Sequence, residues 1–312
     1  MTACLHQSRT LATILLLASG ALPVALADKP IEMGNRLELF VDDYLIDELQ
    51  GDVQLQMLRP EAKEVVLVTD KPWEGNTSGY FTVFQDGDLY RMIYRGWQHD
   101  AQKKAEHPEI TCYAESTDGI HWTKPELGLL EWQGSKKNNI VWLGPGTHNF
   151  TAFRDDNPDT PPESRYKALG GGRGGLLPFA SADCKQWRLI QESPVITNGA
   201  FDSQNLAFWD AERGEYRAYW RHFDNGVRAI RTATSKDFLH WENEADLSYP
   251  EGTPNEHLYT NAIQPYFRAS QLFIGFPTRF EAQSQQVEPI LMTSRDGTRF
   301  HRYPEAVIPR TA

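Results

Sequence analysis

The sequence predicts an all-β protein built as a β-propeller, in which similar four-stranded sheets (the blades) surround a central axis. The first observation is a segment that occurs four times: a Ser, an Asp two residues later, and an aromatic residue four positions after the Asp. The four copies are 116–122, 181–187, 235–241 and 294–300. Their aromatic residues are 65, 54 and 59 residues apart. Internal repetition at a spacing of tens of residues is typical of propellers.

The second observation is the order of β-forming stretches around each copy. An apolar stretch that ends at a turn comes first, at 80–84, 150–153, 206–209 and 262–267. A second stretch follows at 89–94, 166–169, 216–220 and 272–276, and a third leads into the repeated segment at 111–114, 177–180, 229–233 and 290–293. Helical periodicity is almost absent. Four short antiparallel strands in each unit therefore favour propeller blades.

The repeated segment supplies a turn and the start of an outer strand. Its Asp stands where a turn needs a side chain that accepts backbone N–H groups, and a Gly follows the Asp in two copies. The aromatic residue is then expected to open the fourth strand and to pack beneath it, so that Trp122, Trp187, Trp241 and Phe300 are equivalent. A β-sandwich with coincidental turns is the alternative.

The repeat also sets the predicted domain organisation. Residues 1–27 are a leader and residues 28–312 a single propeller domain, with blades at about 70–130, 131–195, 196–250 and 251–312. Residues 28–69 are expected to supply closing strands, at 37–41 and 65–68. The fourth unit ends near Tyr303, which leaves either an unusual four-bladed ring or a five-bladed type whose C-terminal end is truncated. We favour the second and predict a ring that is open after Tyr303.

The N-terminal segment has the features of a secretory signal peptide. Arg9 supplies a positive charge, an apolar run begins at 11–17, and Ala25-Leu26-Ala27 is an A-x-A cleavage site. A membrane anchor is the alternative, but Gly20 and Pro23 interrupt a stretch already short for a span. The sequence therefore predicts a secreted or periplasmic protein that has no membrane span.

The composition of the chain limits the kinds of partner that it is expected to bind. The chain has 312 residues, 42 Asp and Glu against 31 Lys and Arg, and a formal net charge of −11. Nucleic acids and anionic membranes attract proteins with a basic field, so neither is an expected partner. After the leader, only Cys112 and Cys184 remain, and a disulfide and two buried thiols are both open.

The third unit carries a resemblance to a known group of enzymes. An Asp precedes the inner strand in 201–210, a turn Asp follows, and an aromatic strand comes next at 215–220. This order resembles the third-blade motif of the five-bladed β-propeller glycosidases: arabinanases, xylosidases, invertases and levansucrases of glycoside hydrolase families 43, 32 and 68. The resemblance covers roughly residues 70–303 and implies a carbohydrate substrate.

The resemblance also implies three catalytic carboxyl groups at the start of inner strands. Asp202 matches the third-blade Asp, which orients the acid or the sugar. Glu256 is the nearest carboxylate before the fourth inner strand and is taken as the general acid; burial and neighbouring negative charge are expected to keep it protonated. Glu74 is the remaining candidate for the base or nucleophile. All three are expected to face one central funnel.

The remaining candidate residues would bind the sugar. Asn149, Asn205 and Asn261 occupy matching positions at inner-strand starts, where they would hydrogen-bond either between blades or to substrate hydroxyls. His257 and Trp73 flank two of the candidate carboxylates. No cofactor or metal site is predicted, because the histidines lack metal-ligand spacing, although the adjacent Asp42 and Asp43 leave a structural cation open.

Two pairs of arginines are each four residues apart on a predicted strand, so the two side chains of a pair point to the same face of the sheet. The pairs are Arg91 with Arg95, and Arg217 with Arg221. They are expected to form ion pairs between blades or to bind an acidic sugar.

Two functions of different classes follow from these features. The first is a secreted glycoside hydrolase, which cleaves a poly- or oligosaccharide with two carboxyl groups that flank the scissile bond. The second is a non-catalytic glycan-binding or scaffolding propeller, for instance an inactive fragment. Carboxylates that converge in the funnel favour the enzyme, whereas a funnel lined by aromatics, Asn and Arg favours the binder. In both cases a monomer that binds carbohydrate is expected.

The leader generates a direct prediction. Cleavage after Ala27 gives an exported protein that begins at Asp28, because the apolar run ends at the A-x-A site. Intact-mass spectrometry of the exported protein checks this, and a mass that retains Met1 contradicts it.

Overall fold

The computed structural model describes residues 30–102, 106–172 and 174–310. The predicted leader, residues 1–27, lies outside the described residues. Residues 30–36 contain one turn, and a compact β-rich unit begins at Leu37. Within the described residues, regular helix is limited to three short 3₁₀ turns, and none of them is long enough to cross a membrane.

Four antiparallel sheets follow one another along the chain, which confirms the predicted propeller blades. Blade one contains β1–β4, at Gly79–Asp86, Leu89–Gly96, Ile110–Ser116 and Ile140–Leu143. Blade two contains β5–β8, at Thr151–Arg154, Tyr166–Gly172, Gly175–Ser181 and Trp187–Leu189. Blade three contains β9–β12, at Leu206–Asp210, Glu215–Asp224, Val227–Ser235 and Trp241–Asp246. In each of these blades the strands pair in chain order from the inner to the outer edge.

Blade four is larger. Its strands β13–β18 lie at His257–Leu258, Ile263–Tyr266, Ala269–Gly275, Thr278–Glu281, Gln286–Ser294 and His301–Ala306. The strands β14, β15, β17 and β18 form the blade proper, and the N-terminal half of β17 continues into a small extension with β16 and β13. The extension places His257 beside the first residues of β11 in blade three, where its Nδ1 accepts a hydrogen bond from the backbone N–H of Arg228 (3.1 Å).

Two strand predictions need correction. Residues 37–41 and 65–68 form no strand; the one regular element among residues 30–78 is a 3₁₀ turn at Asp43–Leu45. Val65 and Val68 are exposed, so the apolar run at 65–68 does not reflect a paired strand. In blade one the outer strand β4 begins well after Trp122, because the chain inserts a loop between the bridge at Thr123 and β4.

The repeated Ser-x-Asp segment forms the same turn in all four blades. The Ser hydroxyl accepts hydrogen bonds from the backbone N–H of the Asp and of the next residue, and the Asp Oδ1 accepts from the two N–H groups that follow. The residue after the Asp has a positive φ every time, which explains its Gly in two copies. In the three Trp copies the indole N–H donates to that residue's carbonyl. The four aromatics are therefore equivalent in the turn, but the prediction that each opens the fourth strand holds only for the last three copies and is wrong for Trp122.

The apolar core lies between successive blades. One cluster joins blades one and two around Ile93 and Phe150, a second joins blades two and three around Leu169 and Trp220, and a third joins blades three and four. A fourth cluster covers the other face of blade one with Leu67 and tryptophans from flanking loops. Among the described residues no such cluster joins blade four to blade one.

A buried Asp at the end of each of the first three inner strands adds a polar contact to each junction. Asp86 accepts hydrogen bonds from Arg91 Nε in its own blade (2.8 Å) and from Tyr166 Oη in blade two (2.5 Å). Asp155 follows β5; it pairs with Lys167 and accepts from Tyr216 Oη of blade three (2.7 Å). We call these residues, with Asp210, the junction carboxylates.

Asp210 occupies the corresponding place between blades three and four. It pairs with Arg213 (3.0 Å) and Arg217 (3.7 Å), and both guanidinium groups lie over the ring of Phe273 in blade four. The expected ion pairs between blades are therefore wrong for Arg91 and Arg217: each pairs with a carboxylate of its own blade, and its guanidinium group lies over an aromatic ring of the next blade.

Cys112 and Cys184 are both buried free thiols, so the disulfide alternative is wrong. They lie in different clusters, on opposite faces of blade one. Burial raises the pKa of both thiols, which keeps them protonated and unreactive at neutral pH.

The junction between blades one and two should be sensitive to pH. Burial opposes ionisation of Asp86, but the hydrogen bonds from Tyr166 and Arg91 outweigh it and lower the pKa of the carboxyl group. A lowered pKa in the folded state adds stability above the unfolded-state pKa of about 3.9, and this stability is lost as the pH falls through the folded value.

We expect Tyr166→Phe to lower the free energy of unfolding at pH 7 by about 2 kcal/mol, because it removes a hydrogen bond to a buried charge. Urea unfolding measures this loss, which should shrink at acidic pH as Asp86 becomes protonated. The matched control is Tyr266→Phe, at a half-buried ring in β14. Equal stability of Tyr166→Phe and the parent at pH 7 would contradict the assigned role.

Candidate functional site

The inner strands β1, β5, β9 and β14 surround a narrow central channel, and the segments that precede them meet at one end. The hydroxyl of Tyr80 in blade one donates to the carbonyl of Asp202 (3.2 Å), and Gln204 Nε2 donates to Thr82 Oγ1 (3.3 Å). The Ser203 hydroxyl donates to the carbonyl of Tyr259, which precedes the inner strand β14 of blade four (2.7 Å). We call this end of the channel the mouth.

Blades one and two contribute an acid–imidazole pair to the mouth. Glu109 precedes β3, and His148 lies in the 3₁₀ turn before β5; Glu109 Oε1 is 2.6 Å from His148 Nδ1. Arg95 lies beside them, with its guanidinium 3.6 Å from Glu109 and its Nη1 donating to the carbonyl of His148 (3.4 Å). A carboxylate on Nδ1 orients the imidazole and leaves Nε2 as the nitrogen that can act on a ligand.

Tyr80 connects this pair to the rest of the mouth. Its ring lies 5.5 Å from that of His148 and beneath the Arg95 guanidinium at 4.8 Å. Tyr80 has a φ of 53° and stands where the pairing of β1 with β2 is irregular. Such strain in a bulge re-aims a side chain and is common beside functional sites. Burial raises the pKa of the Tyr80 hydroxyl, which keeps it a hydrogen-bond donor.

Blade three contributes Asp202, which lies directly before its inner strand. Its carboxylate pairs with Arg221 of β10, yet the side chain remains 73% exposed. Asp202 lines an open cavity of about 410 Å³ together with His148, Gly171 and Phe201. The cavity is therefore lined both by a carboxylate from blade three and by the imidazole of the acid–imidazole pair.

A cluster of arginines and aromatic rings extends from Asp202 toward blade four. The guanidinium groups of Arg221 and Arg228 each lie 5.2 Å from the ring centroid of Tyr259 and within 5.6 Å of that of Phe223. Arg228 also lies 4.7 Å from the ring of Phe280. We call these five residues the arginine–aromatic cluster.

The structure does not bring the three predicted carboxylates together, so their common funnel is wrong. Only Asp202 lies at the mouth. Glu74 is fully buried and accepts hydrogen bonds from Tyr94 Oη (2.5 Å) and Lys124 Nζ (2.7 Å). Tyr94 and Arg95 are neighbours on a strand and point to opposite faces, so Glu74 lies on the side of blade one away from the mouth. It braces a loop and is in no position to act as a base.

Glu256 is also misplaced by the sequence reasoning. It lies 3.3 Å from Arg279 and 3.2 Å from Arg302, and Arg302 belongs to β18, the outer strand of blade four. The charges that contact it are positive, whereas negative ones were expected from the sequence. Glu256 is a structural carboxylate of blade four.

The three Asn residues are buried; Asn149 and Asn261 have the interblade role that was one of the two expectations, whereas Asn205 bonds to the backbone of its own blade. Asn149 Nδ2 donates to the carbonyls of Phe201 and Ser203 in blade three, and its Oδ1 accepts from the N–H of Gly171 (2.6 Å). Asn205 donates to the carbonyl of Ser203 (2.7 Å), and Asn261 donates to the carbonyls of Gln204 and Tyr219. Their exposure is 1% or less.

The two remaining predicted sugar contacts also have structural partners. The Trp73 indole donates to Asn139 Oδ1 (2.7 Å) and packs in the cluster on the far face of blade one. His257 borders the arginine–aromatic cluster, with its ring 5.9 Å from that of Phe280. Asp42 caps a 3₁₀ turn and binds Arg295. No group of three or more potential metal ligands occurs within residues 30–102, 106–172 and 174–310.

Sequence reasoning missed most of the mouth. Glu109 and His148 carried no motif, since they are 39 residues apart and meet only because blades one and two are adjacent. The position of His148, next to the inner-strand Asn149, was the one available signal. Arg221 was recognised as part of a strand-face pair, but Arg228 and the bulged Tyr80 were not.

Comparison with solved structures supports the same fold. A structure described as a glycoside hydrolase superposes with a TM-score of 0.51 at 13% identity, over 73% of this chain and 74% of that one. The β-1,2-mannobiose phosphorylase from Listeria innocua gives a TM-score of 0.50 at 12% identity, over 73% and 76% of the two chains. No family model and no curated protein matches the sequence. At these identities the comparison establishes the fold, and the chain is a β-propeller of the kind found in these carbohydrate-active proteins.

The reassignment of Glu74 can be tested by stability. Glu74→Gln removes the buried carboxylate from the nearly buried Lys124, which keeps only its pair with the exposed Asp70, and we expect a loss of about 3 kcal/mol in the free energy of unfolding. The matched control is Glu126→Gln, at an exposed position shortly after Lys124 in the chain. Urea unfolding of both variants gives the comparison, and a loss below about 1 kcal/mol for Glu74→Gln would contradict the bracing role.

Proposed function

We propose that the protein is an exported glycoside hydrolase that acts as a monomer on a poly- or oligosaccharide at the mouth of the propeller. The observation that carries this proposal is the cavity that is lined both by the exposed carboxylate of Asp202 and by His148. Glycoside hydrolysis needs two groups on opposite sides of the scissile bond, one that donates a proton and one that supplies negative charge. The carbohydrate-active proteins of the same fold support this choice of substrate.

Each mouth residue has a role in this proposal. His148, oriented by Glu109 on Nδ1, donates the Nε2 proton to the leaving glycosidic oxygen as the bond from that oxygen to the anomeric carbon breaks. Arg221 pairs with Asp202 and orients its carboxylate. Asp202 either attacks the anomeric carbon or takes a proton from the water that attacks it. Water supplies the hydroxyl group of one product and restores the proton to the enzyme.

A glycan-binding protein without catalysis is the second candidate, and one observation favours it. Both mouth carboxylates already have cationic partners, Asp202 with Arg221 and Glu109 with Arg95. Such pairs are as useful for fixing a binding surface as for chemistry. Binding of a glycan without release of reducing ends would decide for this candidate.

A screen of the mature protein against a glycan panel, read by released reducing ends, tests the hydrolase. On a cleaved glycan, Asp202→Asn should lower kcat by about 10²–10⁴-fold, because it removes the negative charge with little change in shape. His148→Gln should have a similar effect on substrates with poor leaving groups. Proton NMR of the first product anomer distinguishes attack by Asp202 from attack by water.

The matched control is Asp159→Asn, the same chemical change at an exposed loop position between β5 and β6. It should leave kcat unchanged. Turnover by Asp202→Asn at the parental rate would exclude Asp202 from the chemistry, and a folded protein that binds glycans but cleaves none would establish the binding function instead.

A further inference from the structure

The mouth contains a positive charge that has no acidic partner within the part of the chain that the structure describes. We propose that Arg228, together with Arg221, binds the carboxylate of an acidic sugar, so that the preferred substrate is a glycan that contains uronic acid. This inference rests on the proposed action on carbohydrates and specifies the class of sugar.

Arg228 differs from the other arginines on the second and third strands of the blades. Arg91, Arg95, Arg217 and Arg231 each form an ion pair with a carboxylate. Among the described residues Arg228 forms none, and its buried Nε has no hydrogen-bond partner. Three aromatic rings surround its guanidinium group, which restricts its orientation without neutralising its charge.

Arg221 provides the second cation. Its side chain is 4% exposed, its Nε is also without a partner, and its one carboxylate, Asp202, is mostly in solvent. Both guanidinium groups contact the ring of Tyr259, so two positive charges lie in one cluster. Burial lowers the pKa of Arg221 and the charge of Arg228 acts in the same direction, a cost that an incoming anion would relieve.

The chemistry of the cluster fits a sugar carboxylate. A guanidinium group presents parallel N–H donors that match the two oxygens of a carboxylate. Phe223 is 51% exposed and offers an apolar face to the C–H surface of a sugar ring. Because the chain carries a net charge of −11, long-range attraction of an acidic polymer is absent, and selection of an anion has to come from these local contacts.

The experiment compares acidic sugars with their neutral esters. Binding of galacturonate and glucuronate oligomers, and of the same oligomers as methyl esters, is measured by calorimetry on the intact mature protein. We expect at least one acid to bind about ten- to a hundredfold more tightly than its ester, equal to about 1.4–2.8 kcal/mol. Arg228→Met should abolish this preference, and Arg228→Lys, which keeps the charge but loses the paired donors, should retain part of it.

The matched control is Arg268→Met, since Arg268 also stacks on an aromatic ring, that of Phe267 at 5.0 Å, in the hairpin between β14 and β15. It should keep the full preference for acid over ester. Thermal unfolding shows whether Arg228→Met is folded; if it is not, the graded loss in Arg228→Lys carries the test.

The outcomes separate this inference from the proposed function. If neutral glycans are cleaved and the acids bind no better than their esters, the inference alone is overturned. It is also overturned if folded Arg228→Met keeps the preference for acid over ester. Displacement of bound glycan by millimolar inorganic phosphate, without any preference for uronates, overturns it in favour of a phosphate site. A protein that neither binds nor cleaves any acidic or neutral glycan overturns both.

Discussion

The fold depends on carboxylates buried where one blade meets the next. An apolar interface alone would allow neighbouring sheets to slide, since dispersion and hydrophobic forces have little directionality. The junction carboxylates fix the register instead, because each joins a cation of its own blade to an aromatic residue of the next. A buried charge is costly unless every partner is in place, so only one relative position of the blades satisfies it.

Much of this fold can be predicted from local chemistry. The Ser-x-Asp turn is specified by hydrogen bonds within seven residues, and its four copies locate the outer edge of each blade before any tertiary contact is known. The segment before blade one lacks this local code. Its valines at 65–68 have β propensity, but they form no strand because no neighbouring strand pairs with them.

The site is harder to predict for a related reason. Asp202 could be identified because it matches the third-blade Asp of the glycosidases that the sequence resembles, directly before an inner strand. Glu109 and His148 come from a loop and a turn, and only the packing of blade one against blade two brings them together. The buried Glu74 and the paired Glu256 show the converse. Each stands in a sequence position expected of a catalytic carboxylate, but a lysine or an arginine binds it away from the mouth, and the sequence alone does not reveal that partner.

The hydrogen bonds of Asn149 have a mechanical consequence. His148 belongs to blade two and Asp202 to blade three, so the distance across the cavity follows from how these two blades are held. The Asn149 side chain spans that gap from within, bound to the backbone at 171, 201 and 203. The length of this side chain therefore sets the distance between the two sides of the cavity. Replacing Asn149 by a longer or shorter residue would change which sugars fit, although Asn149 itself is buried and does not line the cavity.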